Sequence, residues 1–207
     1  MLKIIINQPV IQTHMLLKGD ETPEKLRVQL GRWVASGKLV QLKRGYFALS
    51  PEYAATVVSN KFLATFIYPP SYLSLEYALS FYDVIPEAVY IFTLITTRRP
   101  SMNKNKLFTA EYRHIKKELF WGFQSEEEKG QTYFIATPEK ALLDLLYFSR
   151  TQITDPYLRE LRLQNLEILD EERFLEFSGR FKSKKIEIGA KKIIKLIEEE
   201  REEYQKL

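Results

Sequence analysis

The chain has 207 residues, enough for one large domain or two small ones, and its 45% apolar and 13% aromatic content excludes a disordered polypeptide. It has no cysteine, which excludes disulfides, thiolate metal sites and a cysteine nucleophile, and its two histidines, His14 and His114, offer no metal-ligand spacing. The net charge of +4 is unevenly placed. Residues 1–50 carry eight cations against three acids, a net of +5, so the remaining 157 residues sum to −1.

In chain order, residues 1–21 are expected to hold a first helix. Ile4, Ile5, Val10, Ile11, Met15, Leu16 and Leu17 supply its apolar positions, Pro9 opens its main part, and Lys18-Gly19-Asp20 breaks it. His14 falls mid-helix as a packing or surface residue. A short second helix is not evident and is at most degenerate within residues 18–22. The apolar start, Met1 to Ile6, is too short for a signal sequence, and no apolar run reaches bilayer length, so a soluble cytoplasmic protein is expected.

The clearest segment is Thr22 to Leu49. Thr22-Pro23-Glu24 is a helix start: a hydroxyl cap, a proline at the first helical position and an acid near the positive end of the dipole. Leu26, Leu30, Trp33 and Val34 recur at spacings of three and four and share one face. Lys25, Val28, Gln29 and Arg32 lie on the other side, with Arg27 on a flank. Gly37 stops the helix. Leu39 to Lys43 and Tyr46 to Leu49 then read as two strands around a tight Arg44-Gly45 turn. A cationic helix followed by a hairpin with Lys43 and Arg44 near its tip matches the second half of a winged helix-turn-helix. The local positive surplus is the footprint of a phosphate-binding surface.

Ser50-Pro51-Glu52 repeats the start signal and predicts a linking helix over 51–66, lined by Ala54, Val57, Val58, Phe62 and Phe66 and ended by Pro69-Pro70. A helix over 73–82 follows, with Ser74 as cap and Leu75, Ala78, Leu79 and Tyr82 as its stripe. Ala88 to Thr97 is rich in β-branched and aromatic residues on both faces and reads as a buried central strand. Residues 98–118 are basic, with Phe108, Tyr112 and Ile115 interleaved. They fit a solvated hairpin with cationic turns better than a nucleic-acid platform. Residues 119–123 and 131–136 read as strands joined by an acidic loop at 126–130.

Thr137-Pro138-Glu139 begins a helix that is apolar nearly all round, with Asp144 as the exception. A carboxylate there needs a partner, expected to be a backbone amide or an arginine. Helices over about 156–164, 170–179 and 185–205 complete a helical tail. The last should turn Ile186, Ile188, Ile193, Ile194 and Ile197 inward. No phosphate-binding glycine loop, HExxH or GxSxG is present. Glu76, Glu139, Lys140 and Asp144 are the residue types a nuclease would use, but such residues are common in any helix. The expected class is therefore a non-enzyme, with no catalytic residue, metal or cofactor assigned.

Four segments in this order resemble the AbiEi-type antitoxins of type IV, abortive-infection toxin–antitoxin systems: SGKLVQLKRGYFAL, SYLSLEYAL at 71–79, AVYIFTLITTRRP, and TPEKALLDLL at 137–146. They cover about residues 10–150. The weak second helix and the helical tail after 150 depart from the family pattern. The resemblance implies a protein of two parts, an N-terminal winged helix-turn-helix and a C-terminal antitoxin domain; with the elements read above, the expected fold is α+β, the winged helix-turn-helix spanning residues 1–50 and a mixed α/β domain residues 51–207, with the linking helix 51–66 and a helical tail 151–207. It implies a repressor that binds double-stranded operator DNA through Lys25, Arg27, Val28, Gln29, Arg32, Lys43 and Arg44, with room for a homodimer on DNA. It also implies an antitoxin that opposes a nucleotidyltransferase-like toxin without need of a stable complex. Two other readings are a stand-alone winged-helix transcription factor with a ligand-sensing or dimerising C-terminal domain, and a nucleic-acid-processing enzyme.

Overall fold

A computed structural model describes residues 9–16, 22–54 and 56–204. The expectations for Ile4, Ile5, Leu17, the Lys18–Asp20 break and most of the 18–22 segment lie outside these residues. The fold is mixed α+β: an N-terminal helical stretch and β-hairpin, then a mixed α/β region ending in helices.

The N-terminal part begins with a two-residue strand β1 (Ile11–Gln12) and a short helix α1 (Thr13–Leu16). The expected helix from Pro9 is therefore displaced. Ile11 and Gln12 pair antiparallel with Phe47 and Tyr46, which extends the backbone there and delays helix formation by four residues. His14 is exposed. Helix α2 (Pro23–Ala35) follows, and the Thr22 hydroxyl accepts from the Lys25 amide at 3.5 Å. Strands β2 (Leu39–Lys43) and β3 (Tyr46–Leu49) form the expected hairpin, completing a sheet of order β1-β3-β2. Ile11, Leu26, Leu30, Leu39, Phe47 and Leu49 make a small core beneath α2. The other face of the hairpin, with Val40, Leu42 and Ala48, joins the main core.

The helix expected over 51–66 is a correction. Ser50 starts only a single turn, accepting from Tyr53 N at 2.8 Å and Ala54 N at 3.1 Å, while its hydroxyl donates to the Gly37 carbonyl. Helix α3 (Asn60–Ile67) begins later, capped by Ser59. It buries Leu63, Ala64 and Ile67, leaving Phe62 and Phe66 half-buried.

The main sheet has six strands in the order β6-β7-β5-β4-β9-β8. Strand β4 (Ser71–Leu73) takes Leu73 from the expected helix, and α4 is Leu75–Phe81. Ser74 precedes it without a capping bond. The buried central strand exists as β5 (Phe92–Thr96), all five residues buried between β4 and β7, while Tyr90 and Ile91 before it are exposed. Strands β6 (Ser101–Lys104) and β7 (Thr109–His114) form the basic hairpin. Residues 117–119 form a 3-10 turn, so of the strand expected over 119–123 only Phe123 is in one. Strands β8 (Phe123–Glu128) and β9 (Gln131–Ala136) pair along six registers, so Glu126 to Glu128 lie in a strand and only Lys129-Gly130 turn.

Helix α5 (Pro138–Phe148) is buried over its first nine residues, as its all-round apolar sequence predicts. Helices α6 (Asp155–Glu160), α7 (Glu171–Arg180) and α8 (Lys184–Tyr204) close the fold. Along α8, Ile186, Ala190, Ile193 and Ile197 point inward at helical spacing. Ile188 falls on the opposite face and is exposed, correcting its expected inward position. No described helix is long and apolar enough to cross a membrane.

Candidate nucleic-acid interface

Helix α2 is anchored through Leu26 and Leu30, 1% and 2% exposed, and each such burial contributes roughly 1.5–3 kcal/mol. That anchoring fixes the opposite face. Lys25, Arg27, Val28 and Arg32 are exposed there, and Gln29 is half-buried at its edge. Val28 stands out as an apolar side chain in a cationic surround, 52% exposed. The helix end is held to the hairpin by Lys38 N donating to Trp33 O at 2.9 Å, and Ser50 N donates to Lys38 O at 3.0 Å. The turn is held from below: the Thr13 amide and hydroxyl both donate to Gly45 O, at 2.9 and 3.3 Å. Arg44 is exposed at this braced tip.

Lys43 behaves differently from its neighbour. Its amine donates to the Ile67 carbonyl and sits 4.1 Å from the Tyr46 ring centroid. Burial, and then the charge of Arg98, hold its pKa below the usual lysine value. Six of the seven expected contact residues thus share the outer helix face and hairpin tip, and Lys43 is turned inward to tie the hairpin to the end of α3.

The basic segment packs against this hairpin. The Asn103 amide on β6 donates to Leu42 O at 2.8 Å, and Arg98 lies 4.5 Å from the centroid of Tyr68, whose ring also faces Lys43. Its interleaved aromatics point inward: Phe108 and Tyr112 are 7% and 1% exposed. They are core residues with no face for a base to stack on, and the cations occupy the outer side.

The four nuclease-type residues fall into three ion pairs. Glu76 faces Arg113 at 3.8 Å. Glu139 accepts from Arg173 at 2.5 Å and from the Asp170 amide at 3.0 Å, clasping α5 to α7. Lys140 and Asp144, one helical turn apart, pair with each other in full burial. Asp144 also accepts from the Tyr72 hydroxyl at 3.0 Å and from Ser74 at 2.8 Å, and the Lys140 amine donates to Tyr72 at 3.0 Å. Aromatic rings close over the amine, with the centroids of Trp121 and Phe181 both at 5.0 Å. Burial drives the Asp144 carboxyl up and the Lys140 amine down, and their mutual pairing opposes both shifts. Asp144's partners are therefore a lysine and two hydroxyls, in place of the expected amide or arginine. Tyr72 and Ser74 lie some 70 residues away, and nothing in their local sequence marks them. Among the described residues, no group of three or more His, Cys, Asp or Glu side chains could hold a metal ion.

Comparison with protein-family models and with curated proteins finds no match to this chain.

Proposed function

We propose that this protein is a DNA-binding repressor with an N-terminal winged helix-turn-helix, and that it serves as the antitoxin of a type IV toxin–antitoxin system. The observation that carries the DNA-binding half is the outer surface of α2 and the hairpin tip, where Lys25, Arg27, Arg32 and Arg44 are exposed on a rigidly braced frame. Helix α2 is the recognition helix. It enters the major groove, where its cations bind phosphate, Gln29 reads base edges, and Val28 meets a thymine methyl. The hairpin is the wing, and Arg44 reaches the adjacent backbone. The sheet order β1-β3-β2, in which a short leading strand pairs with the returning wing strand, supports the same arrangement.

The antitoxin half rests on the resemblance of the four sequence segments. In this reading the C-terminal region opposes a nucleotidyltransferase-like toxin in the cytoplasm, while the N-terminal part represses the shared operon.

The test is fluorescence anisotropy on DNA from the gene's own upstream region, against a scrambled duplex, across salt concentrations. Four phosphate-neutralising cations give a slope of log K against log salt of about −3.6 per protein copy, each contributing about −0.9. Upstream DNA should bind the more tightly. Equal, weak binding to both duplexes refutes the sequence-reading function. Rescue of cells expressing a neighbouring nucleotidyltransferase-like protein tests the antitoxin half separately.

A further inference from the structure

An apolar cavity of about 570 Å³ opens where the N-terminal sheet meets the main sheet, within the ~300–1,000 Å³ typical of small-molecule pockets. It is walled by six rings from separate parts of the chain: Tyr46, Phe62, Phe66, Phe120, Phe123 and Phe134. The rings meet at edges and tilts. Tyr46 and Phe66 are 6.5 Å apart, Phe62 and Phe66 5.2 Å, and Phe123 and Phe134 5.8 Å. They therefore line a space between them.

The sequence of β9 shows that this surface is unusual. Tyr133 and Ile135 alternate into the core, which puts Thr132 and Phe134 on the opposite, open face. Phe134 is 44% exposed there, among half-buried Phe62, Phe66, Phe120 and Phe123. A contiguous aromatic surface left open to water marks a binding site more often than a scattered exposed residue does.

The lining also defines what fits. More than a quarter of the chain is charged, yet among the described residues no Lys, Arg, His, Asp or Glu lines the cavity. The Ser71 hydroxyl is spent on the Thr65 carbonyl, and that of Thr65 on the carbonyls of Lys61 and Phe62. A charged ligand would lose hydration there with no described charged side chain to replace it. A flat ring would gain offset and edge contacts from several walls at once. We propose that this cavity binds a small, uncharged aromatic molecule. Gln12 and Tyr46 line it from paired positions of the N-terminal sheet, so the occupant touches both sheets. The site needs no DNA, and it stands or falls apart from operator binding.

The experiment is calorimetry and ligand-detected NMR on the full chain, with indole and 1-naphthol as neutral probes and indole-3-acetate and 1-naphthoate as charged counterparts. Saturable binding of a neutral probe is expected at a Kd on the order of 1 mM or tighter, at least about tenfold weaker for the carboxylates. Thr132→Trp, at an exposed position facing the cavity, should crowd it and weaken binding. Phe134→Ala removes one wall and should weaken binding, and it keeps the test decisive if the tryptophan variant misfolds. No saturable binding to the wild-type protein, equal affinity for the carboxylates, or binding unchanged in both folded variants overturns the proposal. Sedimentation of the same proteins covers the other occupant: self-association lost in Thr132→Trp would assign the cavity to a second copy and overturn the small-molecule site.

Discussion

Asp144→Ala should destabilise the protein by roughly 3–5 kcal/mol, the usual cost of breaking a buried ion pair by removing one partner. The structure sets the upper end of that range. Lys140 is fully buried and makes no other ion pair among the described residues, so without Asp144 it must either stay charged or give up its proton. From its ordinary value of 10.5, neutralisation at pH 7 spans 3.5 units at about 1.36 kcal/mol each, which caps the lysine's share near 5 kcal/mol. The freed Tyr72 and Ser74 hydroxyls add about 1 kcal/mol apiece at most, partly recovered as Tyr72 keeps the lysine. Urea unfolding followed by circular dichroism is the assay. With an m-value near the top of the ~1–3 kcal/mol/M range, the midpoint should fall by about 1–2 M. The sign with pH is specific. The folded variant holds Lys140 with a depressed pKa, so the unfolded chain binds the extra proton between that value and 10.5, and stability rises with pH across this window. The deficit of Asp144→Ala should therefore shrink from pH 7 toward pH 10. Lys140→Met combined with Asp144→Leu should cost less than either single change, because no unpaired charge remains. A single-variant loss under about 1 kcal/mol, or a deficit that does not change with pH, refutes a buried, mutually dependent pair.

Arg32→Ala and Arg44→Ala should each weaken operator binding and flatten the salt slope by about 0.9 without lowering stability, whereas Lys43→Ala should leave the slope unchanged, since its amine is already committed to Ile67. Anisotropy titrations over salt, with thermal melts of each variant, check both statements. Gly122→Ala should cost about 1–3 kcal/mol: its φ of +76° is left-handed, and an added Cβ would lie 2.9 Å from Lys140 Cγ, pushing the amine off Asp144. Unfolding midpoints measure this. Burial raises the pKa of Glu139, but the bonds from Arg173 and the Asp170 amide outweigh it and hold the value below 4.5. Its stabilisation is complete above the ordinary value and is lost as pH falls through the lowered folded one. Glu139→Gln should flatten the acid limb of the stability curve, read as urea midpoints from about pH 6 to about pH 3.

Much of the fold was legible because the signals are local. The Thr22-Pro23-Glu24 and Thr137-Pro138-Glu139 starts each produced a helix, with the threonine hydroxyl accepting an amide three residues on. The same signal at Ser50-Pro51-Glu52 produced one turn, because the Ser50 hydroxyl turns back to Gly37 and the chain must run on before α3 can pack on the main sheet. The exposed cations of α2 were legible too, since Leu26 and Leu30 leave a 3.6-residue helix no other way to face.

The sequence by itself determined most of the element types, the hairpin turn, the buried character of β5 and α5, and the segment holding the excess positive charge. These depend on neighbours within a few residues, where periodicity and capping act. Only the tertiary structure decided that Lys43 faces inward, that Tyr72 and Ser74 satisfy Asp144, that Asn103 ties the basic hairpin to β2, and that six rings from distant segments enclose a cavity. Each is a contact across tens of residues. Strand order and register fix such contacts, and neither is written in the local pattern of any one segment.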